Sequence, residues 1–316
     1  MELMRTGSAD FHQGSLKPNI CLQLFCQLSL IGVKKVDAMR CPYKLFRLCA
    51  IPCCLLECRV SLPALPSAKQ LLLRPLLALT ALFGLCYGLG VDFALSAFWY
   101  QLQGHSWTLQ HHWLTEDILH RGVRNLNQLL VGAFLLHFLF RFCQQHYRRA
   151  RGLTAAHWES HRQQAHGRLL LSLTLSLAGI AILKHSLPMD CPWDLQAFGG
   201  TQPFTGLFSS WPASRAPNAC FPAGHASIGF AWLGLYFFCL QLYPTLAKPA
   251  LLLSLTLGFG LGLVQQLRGA HFISHDIASA AWCWSMACLC AYWPAWRQRL
   301  RPVSLPTSYP QVIQND

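Results

Sequence analysis

The chain has 316 residues; 53% are hydrophobic and only 12% are charged. Its mass is 35.5 kDa and its mean hydropathy +0.32. A soluble globular protein carries about 25% charged residues, so this composition excludes a disordered chain, a coiled coil and an ordinary soluble enzyme. The net charge of +13 would point to nucleic acid in a polar protein. In a chain this apolar it points to a membrane protein whose excess cations lie in cytoplasmic loops, with no nucleic-acid partner.

In chain order, residues 1–65 come first and read as a poorly ordered, Cys-rich extension, with Met39 or a later codon as a possible true start. Their apolar runs, Asn19–Val33 and Leu45–Cys58, fall short of the roughly 20 residues a bilayer needs. No small-residue cleavage site follows them, so no secretory signal is read. The Cys spacing there matches no paired zinc pattern.

Residues 66–300 read as an all-α membrane domain, a six-transmembrane-helix bundle. Its spans are about Leu71–Val91, Gln128–Phe142, Leu169–Leu183, Ala226–Tyr243, Ala250–Gln265 and Ile277–Trp296. Residues 301–316 read as a cytoplasmic tail. The polar segment Gln101–Asn125, with Trp107 and Trp113, reads as an amphipathic piece at the outer interface. Its His105, His111, His112 and His120 read as wet loop residues. Gly258, Gly260 and Gly262 read as a face that lets a neighbouring helix approach closely.

Arg141, Arg148, Arg149, Arg151, Arg162 and Arg168 lie between the second and third spans, opposed only by Glu159. Lys248 lies between the fourth and fifth spans, and Arg297, Arg299 and Arg301 follow the sixth. The alternate loops balance their charges. The positive-inside rule therefore places both termini in the cytoplasm.

With that orientation, three polar clusters emerge on the non-cytoplasmic side. Lys184 and His185 end the third span, Gly224 and His225 open the fourth, and Arg268, His271, His275 and Asp276 join the fifth to the sixth. Ionisable groups at membrane depth are costly and usually functional. Histidines, a lysine, an arginine and a carboxylate converging at a bilayer face suit an anionic headgroup. The chemistry they support is phosphoryl transfer: one His attacks phosphorus, a second protonates the leaving oxygen, and cations neutralise the equatorial oxygens. Backbone N–H groups near Gly224 add an anion nest. His271 and His275 also stand at the spacing of a metal pair, but no third ligand is evident. No metal and no cofactor are assigned.

These residues resemble the type 2 phosphatidic acid phosphatase superfamily. Its first motif is a Lys followed by six residues and Arg-Pro; here Lys184 leads to Cys191-Pro192. Its second is Pro-Ser-Gly-His; here Pro222-Ala223-Gly224-His225. Its third is Ser-Arg, five residues, His, three residues and Asp; here Val264-Gln265, His271, and His275 in place of Asp with Asp276 beside it. The departures, with the run Cys191-Pro192-Trp193-Asp194-Leu195, are similar to a bacterial subgroup of membrane-associated phospholipid phosphatases.

The resemblance implies His271 as nucleophile, His225 as general acid and Lys184 as phosphate ligand, with Gly224 beside it. Arg268, one helical turn from the family's Arg position, takes that role. Asp276 or His275 orients His271. The expected function is hydrolysis of a lipid phosphomonoester or pyrophosphate at the periplasmic face of a bacterial cytoplasmic membrane, through phospho-His271. The partners are the lipid phosphate and the bilayer; the oligomeric state stays open. The alternatives are a lipid phosphotransferase on the same site and an inactive binding or scaffold protein. Cys191 and Cys220 share one outer loop, where an oxidising periplasm permits a disulfide pinning Lys184 near His225.

Overall fold

Lipid offers no partner to a bare N–H or C=O, so apolar runs of this length satisfy their backbone as helices. The computed structural model describes residues 67–153, 157–212, 214 and 218–299, all within the unit Ser61–Asp316. The readings made on residues 1–65 and 301–316 lie outside the described residues. Among those described there is no strand, only isolated bridges between Met189 and Ala219 and between Leu195 and Gln202.

The helices are α1 (Ala68–Gly88), α2 (Val91–Leu102), α3 (Val123–Ala150), α4 (His157–Ser186), α5 (Gly224–Phe230), α6 (Gly234–Leu242), α7 (Ala247–Leu267) and α8 (Ile273–Arg299). A π-helical segment, Leu114–Gly122, runs directly into α3, and a short 3-10 turn, Ala231–Leu233, joins α5 to α6. Of the six spans read from the sequence, the second, third, fifth and sixth each fall within one long helix; the first runs from α1 through a turn at residues 89–90 to the start of α2, and the fourth covers the α5–α6 pair and ends one residue beyond it. The helices outrun the apolar stretches because Arg, Gln and His continue the same backbone at the polar ends of α3 and α4.

Among the described residues, five segments are long and apolar enough to cross a membrane: Gln70–Gly88, Leu114–Ala150, Glu159–Ser186, Gly224–Leu242 and Pro244–Leu267. The sixth expected span, now α8, is not among them. Its 27 residues reach about 40 Å at 1.5 Å per residue, but it carries His275, Asp276, several Ser and several Trp. The reason is position. Ile277, Ala280, Cys283, Trp284, Ala287, Cys288 and Ala291 are all buried, so α8 runs through the middle of the bundle. A central helix presents its surface to other helices rather than to lipid, and its composition follows those neighbours.

The largest core cluster joins Phe230, Leu233 and Phe237 of the α5–α6 pair to Ala280, Cys283, Trp284 and Tyr292 of α8, with Leu71, Leu72 and Leu79 of α1 packed on it. The Trp284 indole N–H donates to the Leu71 carbonyl at 2.7 Å, which ties α1 to α8 inside the bundle.

The glycines of α7 divide by face. Gly258 meets the backbone approach of Gly229 and the Phe230 ring, and a Cβ on Gly262 would collide with the Asp276 carboxyl. Gly260 faces open space, so the close-packing role belongs to Gly258 and Gly262 alone. Gly258→Ala is therefore expected to destabilise the bundle by about 1–3 kcal/mol through overpacking, while Gly260→Ala changes little. Thermal unfolding of both variants in the same detergent checks this.

Candidate active site

Three chain segments meet at one end of the bundle. The first is the last turn of α4, which carries Lys184. The second begins at α5, which carries Gly224 and His225. The third is the turn from α7 into α8, which carries Arg268, His271 and His275.

Local bonds hold the first two together. The Met189 N–H donates to the Asn218 carbonyl at 2.9 Å and the Cys220 N–H to the Met189 carbonyl at 3.3 Å. The Asn218 amide donates to Asp190 at 3.0 Å and to Asp194 at 3.2 Å. Cys191 and Cys220 form a disulfide with their Cα atoms 5.3 Å apart, within the usual range. Their sulfurs lie near Asp194 in the only trio of metal-type side chains close enough to share an ion among the described residues. The disulfide consumes both thiolates, so this trio is not a metal site in this form of the protein. Downstream, the Lys184 Nζ packs against Gly224, 3.4 Å from where a Cβ would stand. A Cβ at 224 would stand in van der Waals contact with that ammonium.

The third segment is built around a glycine. Gly269 has φ +72° and lies under the Trp107 ring, which a Cβ would strike. It closes α7 with a Schellman pair: Ala270 N–H to the Gln265 carbonyl at 2.8 Å and Gly269 N–H to the Gln266 carbonyl at 2.9 Å. Its own carbonyl accepts the Trp193 N–H at 2.9 Å, which ties the outer loop to the turn. At the start of α8, the Ala223 N–H donates to the His275 carbonyl at 3.2 Å. The Ser279 hydroxyl donates to the Ala223 carbonyl at 2.9 Å. The residue before Gly224 is thereby fixed to the helix that follows His271.

These bonds bring Lys184, Gly224, His225, His271 and His275 together. His271 is 6% exposed. Burial pushes its imidazole well below the usual 6.5, and the neighbouring Lys184, His275 and His225 push the same way. Its surroundings therefore favour the neutral imidazole. The rings of His271 and His275 stand 5.7 Å apart.

The orienting roles expected for Asp276 and His275 are not formed. The Gln266 amide donates to the Asp276 carboxyl at 2.6 Å, and the backbone group facing the His271 and His275 rings is that of Cys220. Asp276 sits one residue past the register that would face His271, so it turns towards α7, into the room left by Gly262.

Arg268 is also placed differently from the expectation. It shares a face with Gln265, as read, and donates to its side chain at 3.2 Å. However, its fork holds the Gln110 carbonyl, at 2.9 Å from Nε and 2.7 Å from one terminal nitrogen. Glu116 lies 4.0 Å away. Arg268 thus clamps the outer segment onto the bundle rather than pointing a free guanidinium into the site.

Two participants escaped the sequence. Asp92 of α2 is buried and accepts the Ser274 N–H at 3.0 Å, capping the first turn of α8. Burial raises its carboxyl and that bond opposes the rise. His120, read as a wet loop residue, has its ring 3.7 Å from the His225 ring, and the His225 Nε2–H donates to its backbone carbonyl at 3.2 Å. The signal for both was weak: one acid at a helix start, one His in a polar stretch. Of the others in that stretch, His111 pairs with Glu116 at 3.0 Å.

A lysine, two histidines and a helix start, converging at one end of a helical bundle with apolar outer surfaces, is the arrangement that the sequence resemblance implies. Residues 165–299 match the PAP2 superfamily. The matched stretch contains all three motifs, from Lys184 to Asp276, and the helices α4 to α8 that carry them. No curated protein and no solved structure matches the chain. Members of the PAP2 superfamily are phosphatases, so phosphatase chemistry fits the family as well as the geometry.

Beside the site, an open apolar cavity of about 360 Å³ lies between α1, α4 and α8. Leu76 and Phe83 line it from α1, Leu183 from α4, Trp282 from α8, and Phe221 and Pro222 from the segment before Gly224. Leu183 is the neighbour of Lys184, so apolar groove and polar cluster are continuous along the chain.

Alkylation of unfolded, unreduced protein is expected to leave Cys191 and Cys220 unlabelled and to label Cys86, Cys143, Cys239, Cys283, Cys288 and Cys290; peptide mapping reads this directly. Arg268→Ala, by releasing Gln110, is expected to speed proteolytic cleavage within 103–113 while α4 to α8 stay protected. Unchanged cleavage would remove the clamp.

Proposed function

We propose that this protein is a membrane-embedded lipid phosphatase of the bacterial phospholipid-phosphatase type, working through a phosphohistidine. The observation that carries the reading is the convergence of Lys184, Gly224, His225 and His271 at one end of the bundle, with His271 buried and neutral. The chain crosses the membrane six times on this reading, α8 being the sixth span, and the site opens at the periplasmic face of the cytoplasmic membrane. The Arg-rich ends of α3 and α4, at the opposite end from Lys184, support that orientation.

The chemistry runs in two balanced steps. The lone pair of His271 attacks phosphorus; a P–N bond forms as the P–O bond to the lipid breaks. His225 enters as imidazolium and gives one proton to the leaving oxygen, which departs as a hydroxyl, leaving a neutral ring. Water then attacks the phosphohistidine, giving its proton to His225. The P–N bond breaks, inorganic phosphate leaves, and both histidines return to their starting states. Lys184 and the N–H groups at Gly224 balance charge on the non-bridging oxygens. Arg268 contributes to phosphate binding only by exchanging the Gln110 carbonyl for a phosphate oxygen.

An amphiphile is the natural substrate. With its phosphate beside Lys184, its chain meets the apolar groove at Leu183 and Phe221. A transferase reading differs only in the acceptor, a lipid hydroxyl in place of water. A scaffold that keeps the fold without turnover rests on the motif departures at Cys191, Ala223 and Gln265.

The test is phosphate release by the detergent-purified full chain from a panel of lipid phosphates, without added metal. The wild type is expected to turn over at least one, and His271→Ala to lose roughly three orders of magnitude or more. Release by neither, with or without an acceptor lipid, defeats the enzyme reading.

A pH profile adds a second check. A nucleophile with its ordinary value of 6.5 would lose activity about tenfold per unit below it, as the lone pair is protonated. The depressed value of His271 keeps the lone pair free. Phosphoenzyme formation from a substrate with a good leaving group should therefore hold steady from pH 7 to 5.5. Rapid-quench measurement of the phosphoenzyme reads this.

A further inference from the structure

We propose that His120 is a positioning residue for the general acid, so that the segment 114–122 forms the roof of the catalytic site. The inference rests on the phosphatase reading and concerns the step in which the lipid hydroxyl leaves.

The His225 ring is held on two sides by one residue. Its Nε2 lies 3.2 Å from the His120 carbonyl. A carbonyl only accepts, so Nε2 carries a hydrogen. The His225 that acts as acid is the imidazolium, with a hydrogen on each ring nitrogen; Nε2–H stays on the His120 carbonyl, and the proton given up and regained is the one on Nδ1. The His120 ring lies against the His225 ring, with centroids 3.7 Å apart and planes inclined by 49°, and limits its rotation. One residue thus fixes which nitrogen exchanges the proton and how the acid is aimed. The two residues are 105 positions apart in sequence, so the contact is tertiary.

The local backbone is unusual where this happens. Leu114–Gly122 is π-helical, a rare form that is frequent at functional sites. The His120 carbonyl accepts both from the Val123 N–H and from His225, which uses both of its lone pairs. The segment is braced from outside. Glu116 takes bonds from Arg121 at 2.7 Å and His111 at 3.0 Å, and Arg268 anchors the preceding turn through Gln110. A wall serving packing alone would be apolar. The His120 Nδ1 is instead a buried polar atom with no hydrogen-bond partner among the described residues.

The balance of the step is the one given above. As the P–O bond breaks, Nδ1–H of His225 is transferred to the departing oxygen, and His120 neither gains nor loses a proton. Its effect must then depend on how badly the leaving group needs that proton.

The experiment compares a lipid phosphate, whose alkoxide leaves poorly, with p-nitrophenyl phosphate, whose phenolate leaves unaided. Wild type, His120→Ala, His225→Ala and the double variant are assayed on both, with thermal unfolding measured on each. His120→Gln is the second variant if His120→Ala yields no folded protein. His120→Ala is expected to lower kcat on the lipid phosphate by about tenfold or more, with KM little changed, and to lower kcat on the nitrophenyl ester less than about threefold. In the His225→Ala background the same change should cost nothing further, since the group it positions is gone. Equal losses on both substrates in folded protein, or full additivity in the double variant, overturns this inference alone. Release from neither substrate by the wild type overturns the phosphatase reading and this inference together.

Discussion

The site depends on one backbone junction. Ala223 gives its N–H to the His275 carbonyl at 3.2 Å and takes the Ser279 hydroxyl on its own carbonyl at 2.9 Å. Two residues after it stands His225; four residues before the bonded carbonyl stands His271. The junction is wholly buried, where bonds between groups of the protein meet little competition from water. It fixes the start of α5 to the first turn of α8, so the separation of the two histidines follows from main-chain geometry. Asp92 supports the same turn through the Ser274 N–H. Removing that carboxylate would leave a buried N–H without a partner, at a cost of about 1–3 kcal/mol, at the point where the junction needs rigidity.

Around this junction the outer segment is attached by groups that sequence patterns seldom reveal. Gln103 donates to the Leu267 carbonyl at 2.8 Å, one of the acceptors left open at the end of α7. Its side-chain oxygen accepts the Leu109 N–H at 3.0 Å. Arg268 takes the Gln110 carbonyl, and Trp107 covers Gly269 while its indole N–H reaches the Phe198 carbonyl at 3.2 Å. The end of α7, the turn bearing His271 and the polar segment before α3 form one hydrogen-bonded unit. A guanidinium held by a neutral carbonyl keeps its charge uncompensated except by Glu116. Arg268 therefore serves as a structural clamp while remaining a cation beside the site.

The bundle was legible because lipid imposes long apolar runs, and the spans read within residues 66–300 correspond to helices, the first one broken by a turn at residues 89–90. The departure is α8, whose Ser, Trp and Cys reflect a helix surrounded by protein. Lys184, His225 and His271 were legible because charge at membrane depth is rare. Asp276 was misplaced because a shift of one residue turns a side chain by about 100° on a helix, and Gly262 offered it a pocket on α7. Arg268 was assigned to phosphate because its partner is a main-chain carbonyl, which every residue possesses and none advertises. His120 looked like loop solvent because its meaning lies in a contact made across 105 residues.

The disulfide stands where the PAP2 pattern has an arginine, and the exchange has a physical logic. An arginine at position 191 would bind phosphate directly. A crosslink there adds no charge but holds the end of α4 to the approach to α5, with Lys184 against Gly224. With one cation exchanged for a covalent tie and Arg268 engaged elsewhere, the site holds a bare phosphate dianion less strongly. A phosphate carried on a lipid loses less, because burying its chain in the groove beside Leu183 and Phe221 supplies binding free energy remote from the reacting atoms. On the proposed reading, substrate and product differ in affinity chiefly by the lipid chain. If the proposed lipid phosphatase function holds, weaker electrostatic grip with a rigid frame favours turnover over retention.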